Sequence, residues 1–97
     1  MIKVFVSNDS KAITSIIIKD HANFAEYGQD LVCAAVSAIC FGGANAIDSK
    51  GGKVTIDDAY IQLDNVNHQC DDVCFTIVQQ LKTVSESYPK YISIKEG

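Results

Sequence analysis

The chain lacks an unbroken apolar run of the roughly 18–20 residues that a membrane helix needs, so no membrane partner is expected. It has no C-x-x-C pair among Cys33, Cys40, Cys70 and Cys74, which speaks against a zinc ribbon or a thioredoxin-type site. It also has little positive charge: eight Lys and Arg, scattered, stand against twelve Asp and Glu, giving a net charge of −4. Direct nucleic-acid binding is therefore disfavoured, because a non-specific nucleic-acid surface needs clustered cations. An acidic surface would suit a basic peptide or protein. No signal-peptide pattern opens the sequence; Met1 to Val6 alternates like a strand. A cytoplasmic chain with reduced thiols is the expectation.

No repeat, linker or low-complexity stretch divides the 97 residues, and one domain spanning 1–97 follows. The hydrophobic content of 47% excludes a disordered chain. Residues 2–7 alternate as a strand, Asn8 to Lys11 is turn chemistry, and 13–19 is a second β-branched run; together they read as a hairpin. A helix is predicted from about Gln29 or Asp30, with Val32, Ala35, Val36, Ile39 and Cys40 at three- and four-residue spacing. It runs to about Ile47 unless Gly42 and Gly43 kink it, each glycine weakening a helix by roughly 1 kcal/mol. Strands follow at 53–56 and 59–63. A second helix spans Asp71 to Ser87 and stops before Pro89. A last strand covers 91–95. The order ββαββαβ predicts an α+β domain, two helices packed on a mostly antiparallel sheet.

The chemistry-bearing stretch runs from Asp20 to Cys33. With Asp30 as N-cap, Cys33 falls in the first helical turn, near free backbone N–H groups and the positive end of the helix dipole. Both features favour thiolate, and His21 would favour it further as a base or ion-pair partner. Asp30 would orient His21, and Ser37, one turn beyond Cys33, would support the thiolate or contact substrate. Plainer roles exist for each residue. Free Cys is among the most buried residue types, Asp30 is a good helix cap, and Ser37 can simply fill space. A second constellation, His68 with Cys70 and Cys74, has no fourth metal ligand in view, and no metal or other cofactor is expected. His68 would be an alternative base.

The segment His21-Ala22, Glu26-Tyr27-Gly28 and Asp30-Leu31-Val32-Cys33-Ala34-Ala35-Val36-Ser37-Ala38 resembles the signature of the ribosomal-processing cysteine protease family, Prp. Phe41-Gly42 and Asn45-Ala46-Ile47 extend the likeness, and the element order and length agree with it. The resemblance implies an endopeptidase that removes a short N-terminal extension from the precursor of the twenty-seventh large-subunit ribosomal protein. It implies His21 as base, Cys33 as nucleophile, a homodimer, and a substrate site in the loop between them. Ala22, Phe24, Tyr27 and Gly28 would contact substrate there. One departure stands out: Asp20 occupies the place where the family usually has glycine before the histidine, and Asp adopts left-handed backbone less easily. The non-enzymatic alternative is a dimeric binding or assembly factor for ribosomal proteins that keeps the fold without catalysis.

Overall fold

The computed structural model describes the backbone of residues 1–20 and 27–97, and the side chains of 1–20 and 31–97. Alternation makes the first two strands. In β1 (Ile2–Asn8) Ile2, Val4 and Val6 point to one face and are buried, while Lys3 and Phe5 point to the other. In β2 (Ile13–Lys19) Ile16 and Ile18 are buried on the same side. The two pair antiparallel with Val4 opposite Ile18 and Val6 opposite Ile16. The turn between them is fixed by Asp9, whose side chain accepts the Lys11 N–H at 2.8 Å and the Ala12 N–H at 2.9 Å. Those donors, Ala12 first, hold the Asp9 carboxyl below its usual pKa.

The remaining strands are β3 (Lys53–Asp57), β4 (Tyr60–Asp64) and β5 (Ile92–Glu96). The sheet order is β3-β4-β2-β1-β5. All pairings are antiparallel except β1 with β5, which is parallel. The expected order of elements and mostly antiparallel sheet are therefore observed. The parallel pair and a short 3-10 turn at Val66–His68 add to it.

Both helices cover one face. α1 (Tyr27–Ser49) buries Val32, Val36, Cys40, Ala44 and Ile47, a row at three- and four-residue spacing. α2 (Asp71–Ser87) buries Cys74, Ile77, Val78 and Leu81. Its end falls where Pro89 requires, and the Tyr88 N–H closes the last turn on the Val84 carbonyl at 2.8 Å. α1 starts two to three residues earlier than predicted. Gly28 lies inside its first turn, where a helix tolerates a weak former because those N–H groups lack intrahelical partners in any case.

The glycine pair does not kink α1. A Cβ on Gly43 would sit 2.6 Å from Ile77 Cδ1, so its absence is what lets α1 lie close against α2. Beyond Ser49 the helix is terminated by Gly51, whose φ of +89° turns the chain while the Gly52 N–H bonds the Ile47 carbonyl at 2.9 Å. From Leu31 to Ser49, α1 is long and apolar enough to cross a membrane by length and composition, with mean hydropathy 1.6. This corrects the reading that no segment approaches that class. The helix has no charge between Leu31 and Ile47 because one side of it packs in the core while alanines and glycines occupy much of the other.

The start of α2 is tied down by Asn65, which is buried. Its amide donates to the Ile13 carbonyl at 2.8 Å and to Asp71 at 2.7 Å, and its side-chain oxygen accepts the Cys70 N–H at 2.7 Å. That one side chain connects the end of β4, the start of β2 and the first turn of α2.

Two substitutions test this packing in opposite directions. Gly43→Ala is expected to destabilise by up to about 2 kcal/mol, the overpacking cost of roughly 1–3 kcal/mol less the helix-propensity gain of about 1 kcal/mol. Ala59, in the β3–β4 turn, has φ +52°, and Ala59→Gly is expected to stabilise by about 0.5–1 kcal/mol. Urea denaturation of the two variants checks both signs.

Candidate active site

Cys33 is the seventh residue of α1, in its second turn; the sequence reading put it at the third position, in the first turn. Asp30 is correspondingly inside the helix and not its N-cap. The orphan N–H groups belong to the turn before Cys33; in an α-helix its own N–H bonds the carbonyl four residues back. An oxyanion hole built from Cys33 N–H is thus not supplied by the helix end.

The azimuth of Cys33 is fixed by its neighbours. Val32 and Val36 are buried against the sheet, so Cys33 and Ser37, each one position on, lie at the margin between core and solvent. Both are half-buried, and they are four residues apart on the same edge of the helix. Cys33 packs partly against the core cluster. The other three cysteines are buried. Desolvation raises the Cys40 thiol to about 12 and the Cys74 thiol to about 11, so neither forms thiolate near neutrality.

Strand β2 ends at Lys19, and the chain leaves it through Asp20. Asp20, the residue after it, has φ +59°, the left-handed backbone that favours glycine. It is held there by its N–H, which donates to the Ala59 carbonyl at 3.0 Å, and by an ion pair of 3.5 Å with Lys3. The departure from glycine therefore leaves the backbone shape in place at this position. His21, Ala22 and Phe24 lie outside the described residues. Tyr27 and Gly28 form the first turn of α1, and the side chains of Tyr27 and Asp30 also lie outside the description.

His68 is elsewhere. Its Nε2 is 3.0 Å from Asp9 and its Nδ1 3.2 Å from Asp71, so the ring bridges the β1–β2 turn and the start of α2. That turn is at the far end of β2 from Asp20, roughly 20 Å away for a seven-residue strand. His68 also neighbours Gln69, which meets Gly51 just past the far end of α1, more than about 20 Å along the helix from Cys33, so His68 cannot serve Cys33 as base. Nor does it converge with Cys70 and Cys74: among the described residues no group of three His, Cys, Asp or Glu is placed to hold a metal ion.

The arrangement is a half-buried thiol in the second turn of α1, among three buried ones elsewhere in the two helices' core. Comparison with known proteins gives it a family. The Cysteine protease Prp family matches residues 1–93, and the chain belongs to it. The ribosomal processing cysteine protease Prp of Mycoplasma genitalium is 35% identical over 102 residues, covering 99% of this chain and 96% of its own. The crystal structure of the Staphylococcus aureus ribosomal processing protease Prp with a substrate peptide superposes with a TM-score of 0.89, at 30% identity over the full length of both chains. The same protein with a covalently linked product peptide gives 0.84 at 31% identity, again over both full lengths. The chain is thus a cysteine protease of the ribosomal-processing family, and the expectation of a catalytically silent assembly factor gives way to it.

The thiols should separate chemically. At pH 8, iodoacetamide is expected to label Cys33 in the native protein and to leave Cys40, Cys70 and Cys74 unmodified until urea is added; peptide mapping after quenching reads this. Because folding raises the Cys40 and Cys74 values, the folded state holds protons that the unfolded state releases. Their contribution is complete below about pH 9, the unfolded value, and is lost as pH climbs towards 11–12. Thermal midpoints measured from pH 8 to 11 should fall, and fall less steeply in Cys40→Ala once its own stability loss is subtracted.

Proposed function

We propose that this protein removes the N-terminal extension of the twenty-seventh large-subunit ribosomal protein in the cytoplasm, with Cys33 as nucleophile and His21 as base. The observation that carries the reading is the half-buried position of Cys33 beside three buried cysteines, within the very segment that resembles the family signature. The covalently linked product peptide seen in the S. aureus relative supports acyl transfer through a protein nucleophile.

In this mechanism His21 takes the proton from the Cys33 thiol. The thiolate attacks the scissile carbonyl carbon, and the C–N bond breaks as His21 returns the proton to the leaving amine. Water, deprotonated by His21, then hydrolyses the thioester and regenerates the thiol. Asp30 orients His21. Ser37 donates a hydrogen bond towards the thiolate or the substrate. Ala22, Phe24, Tyr27 and Gly28 form the substrate-binding stretch. An acidic chain facing a basic ribosomal protein favours encounter.

The working unit proposed is a homodimer. Support comes from the outer strip of α1, where Leu31 and Phe41 are 58% and 46% exposed and Ala34 and Ala38 lie between them without a charge. Phe41→Glu is expected to yield a monomer in sedimentation experiments where the parent is a dimer.

The decisive assay is cleavage of the host's own extended ribosomal protein, read by intact mass. The parent protein should cleave it, Cys33→Ala should lose at least about a thousandfold in rate, and His21→Ala about a hundredfold or more. Cleavage that survives Cys33→Ala would remove the nucleophile assignment. Failure of the parent to cleave a folded, extended substrate would remove the substrate assignment.

A further inference from the structure

The face of the sheet opposite the helices carries its own pattern. In the β5-β1-β2 half, Phe5 sits on the central strand β1. Across the ladder Phe5 is opposite Lys95 on β5 and Ile17 on β2. One pair along, Lys3 is opposite Lys19. The Lys19 ammonium lies 5.5 Å from the centre of the Phe5 ring. Three lysines thus surround one half-buried aromatic ring, with Ser7, Ser15 and Ser93 completing that half of the face. Among the described residues the carboxylate paired with these lysines is that of Asp20, 3.5 Å from Lys3 and just past the strand end. Two lysines placed directly opposite each other repel, an arrangement that costs stability unless an anion bridges them. The net charge of −4 is therefore unevenly spread: this half-face is positive on a negative molecule.

We propose that this half-face binds single-stranded RNA, with Lys3, Lys19 and Lys95 on phosphates and a base stacked on Phe5. Charge complementarity requires an anionic partner, and the geometry selects among anions. β1 and β2 are interior strands whose backbone groups are engaged in the ladder, so on this half-face an added peptide strand could pair only along the β5 edge, one strand away from Phe5. The chain contains no arginine, so the planar two-point grip on carboxylates is absent, whereas lysine serves phosphate as a point charge. A flat sheet with an aromatic ring flanked by cations is the platform on which unpaired bases stack while the backbone is neutralised. Lys19, over the ring in the absence of ligand, moves to a phosphate when a base takes its place.

The test is fluorescence anisotropy with a labelled uridine decamer and, in parallel, a thymidine deoxydecamer and an abasic decamer. Binding of the uridine decamer is expected to fall about a hundredfold for a tenfold rise in salt, the slope of about −2 that three phosphate contacts give on a single strand. Lys19→Gln and Lys95→Gln should each weaken it several-fold and flatten the slope. Asp20→Asn, which releases Lys3, should strengthen it. Phe5→Leu should weaken the uridine decamer and leave the abasic one unchanged. Lys95→Gln should cleave a short peptide at the parent rate, showing that the fold is intact. No binding at low salt with millimolar protein, or lysine variants that bind as well as the parent, overturns the proposal. Stronger binding of the deoxydecamer overturns the assignment to RNA, and equal displacement by polyglutamate of matched charge shows an acidic-polypeptide surface instead.

Discussion

The seating of α1 on the sheet is the constraint on which the site depends. Val32, Val36, Cys40, Ala44 and Ile47 form one buried row, and that row fixes the rotation of the helix about its axis. A helix turns 100° per residue, so a slip of one position would put Cys33 where Val32 now is, in the core, with its thiol pushed up as that of Cys40 is. Burial of two valines at roughly 1.5–3 kcal/mol each makes such a slip expensive. The placement of Cys33 thus follows from the packing of its helix, with Gly43 against Ile77 fixing how closely α1 and α2 approach.

What the sequence revealed follows the same logic. Alternation in β1 and β2 and helical spacing in α2 are local signals, and those elements appear where the pattern puts them. The parallel pairing of β1 with β5 joins segments some ninety residues apart in sequence, and no local pattern encodes it. Gly28 misled the reading of α1 because glycine marks loop ends, yet inside a first turn it is tolerated. The turn at Asn67 and His68 was equally hidden: both adopt positive φ, 54° and 57°, and although these residue types favour it over most others, no local pattern marked the turn. His68 had looked like a possible ligand or base; its real partners, Asp9 and Asp71, come from a distant turn and the next helix. The cysteine–histidine reading drew on the motif, and the structure adds the exposure that distinguishes Cys33 from its three buried counterparts.

Net charge is a coarser signal than the pattern of each face. A total of −4 describes the whole chain, and nucleic-acid binding was set aside on that number. Strand alternation already sends Lys3 to the face that β1 turns away from the core, and Lys19 to the same face from β2. Recognition is decided by the charge within about a Debye length, roughly 8–10 Å, and not by the sum over the molecule. Reading charge face by face, once the register is known, is the appropriate scale.

The end of β2 shows which interaction holds a strained residue. Asp20 in left-handed backbone costs about 1 kcal/mol relative to glycine. Its ion pair with Lys3 joins side chains that are 53% and 57% exposed, and such pairs contribute about 0–1 kcal/mol and weaken with salt. That is too little, by itself, to hold the conformation. The Asp20 N–H bonded to the Ala59 carbonyl at 3.0 Å contributes about as much again and is not salt-dependent. Ala59 is itself at positive φ, so two strained residues are joined by one hydrogen bond at the point where the chain enters the segment carrying His21. Strain of this kind persists only where surrounding structure over-determines it, and here the β2–β4 ladder does so, pairing Lys19 with Tyr60 immediately beside both residues.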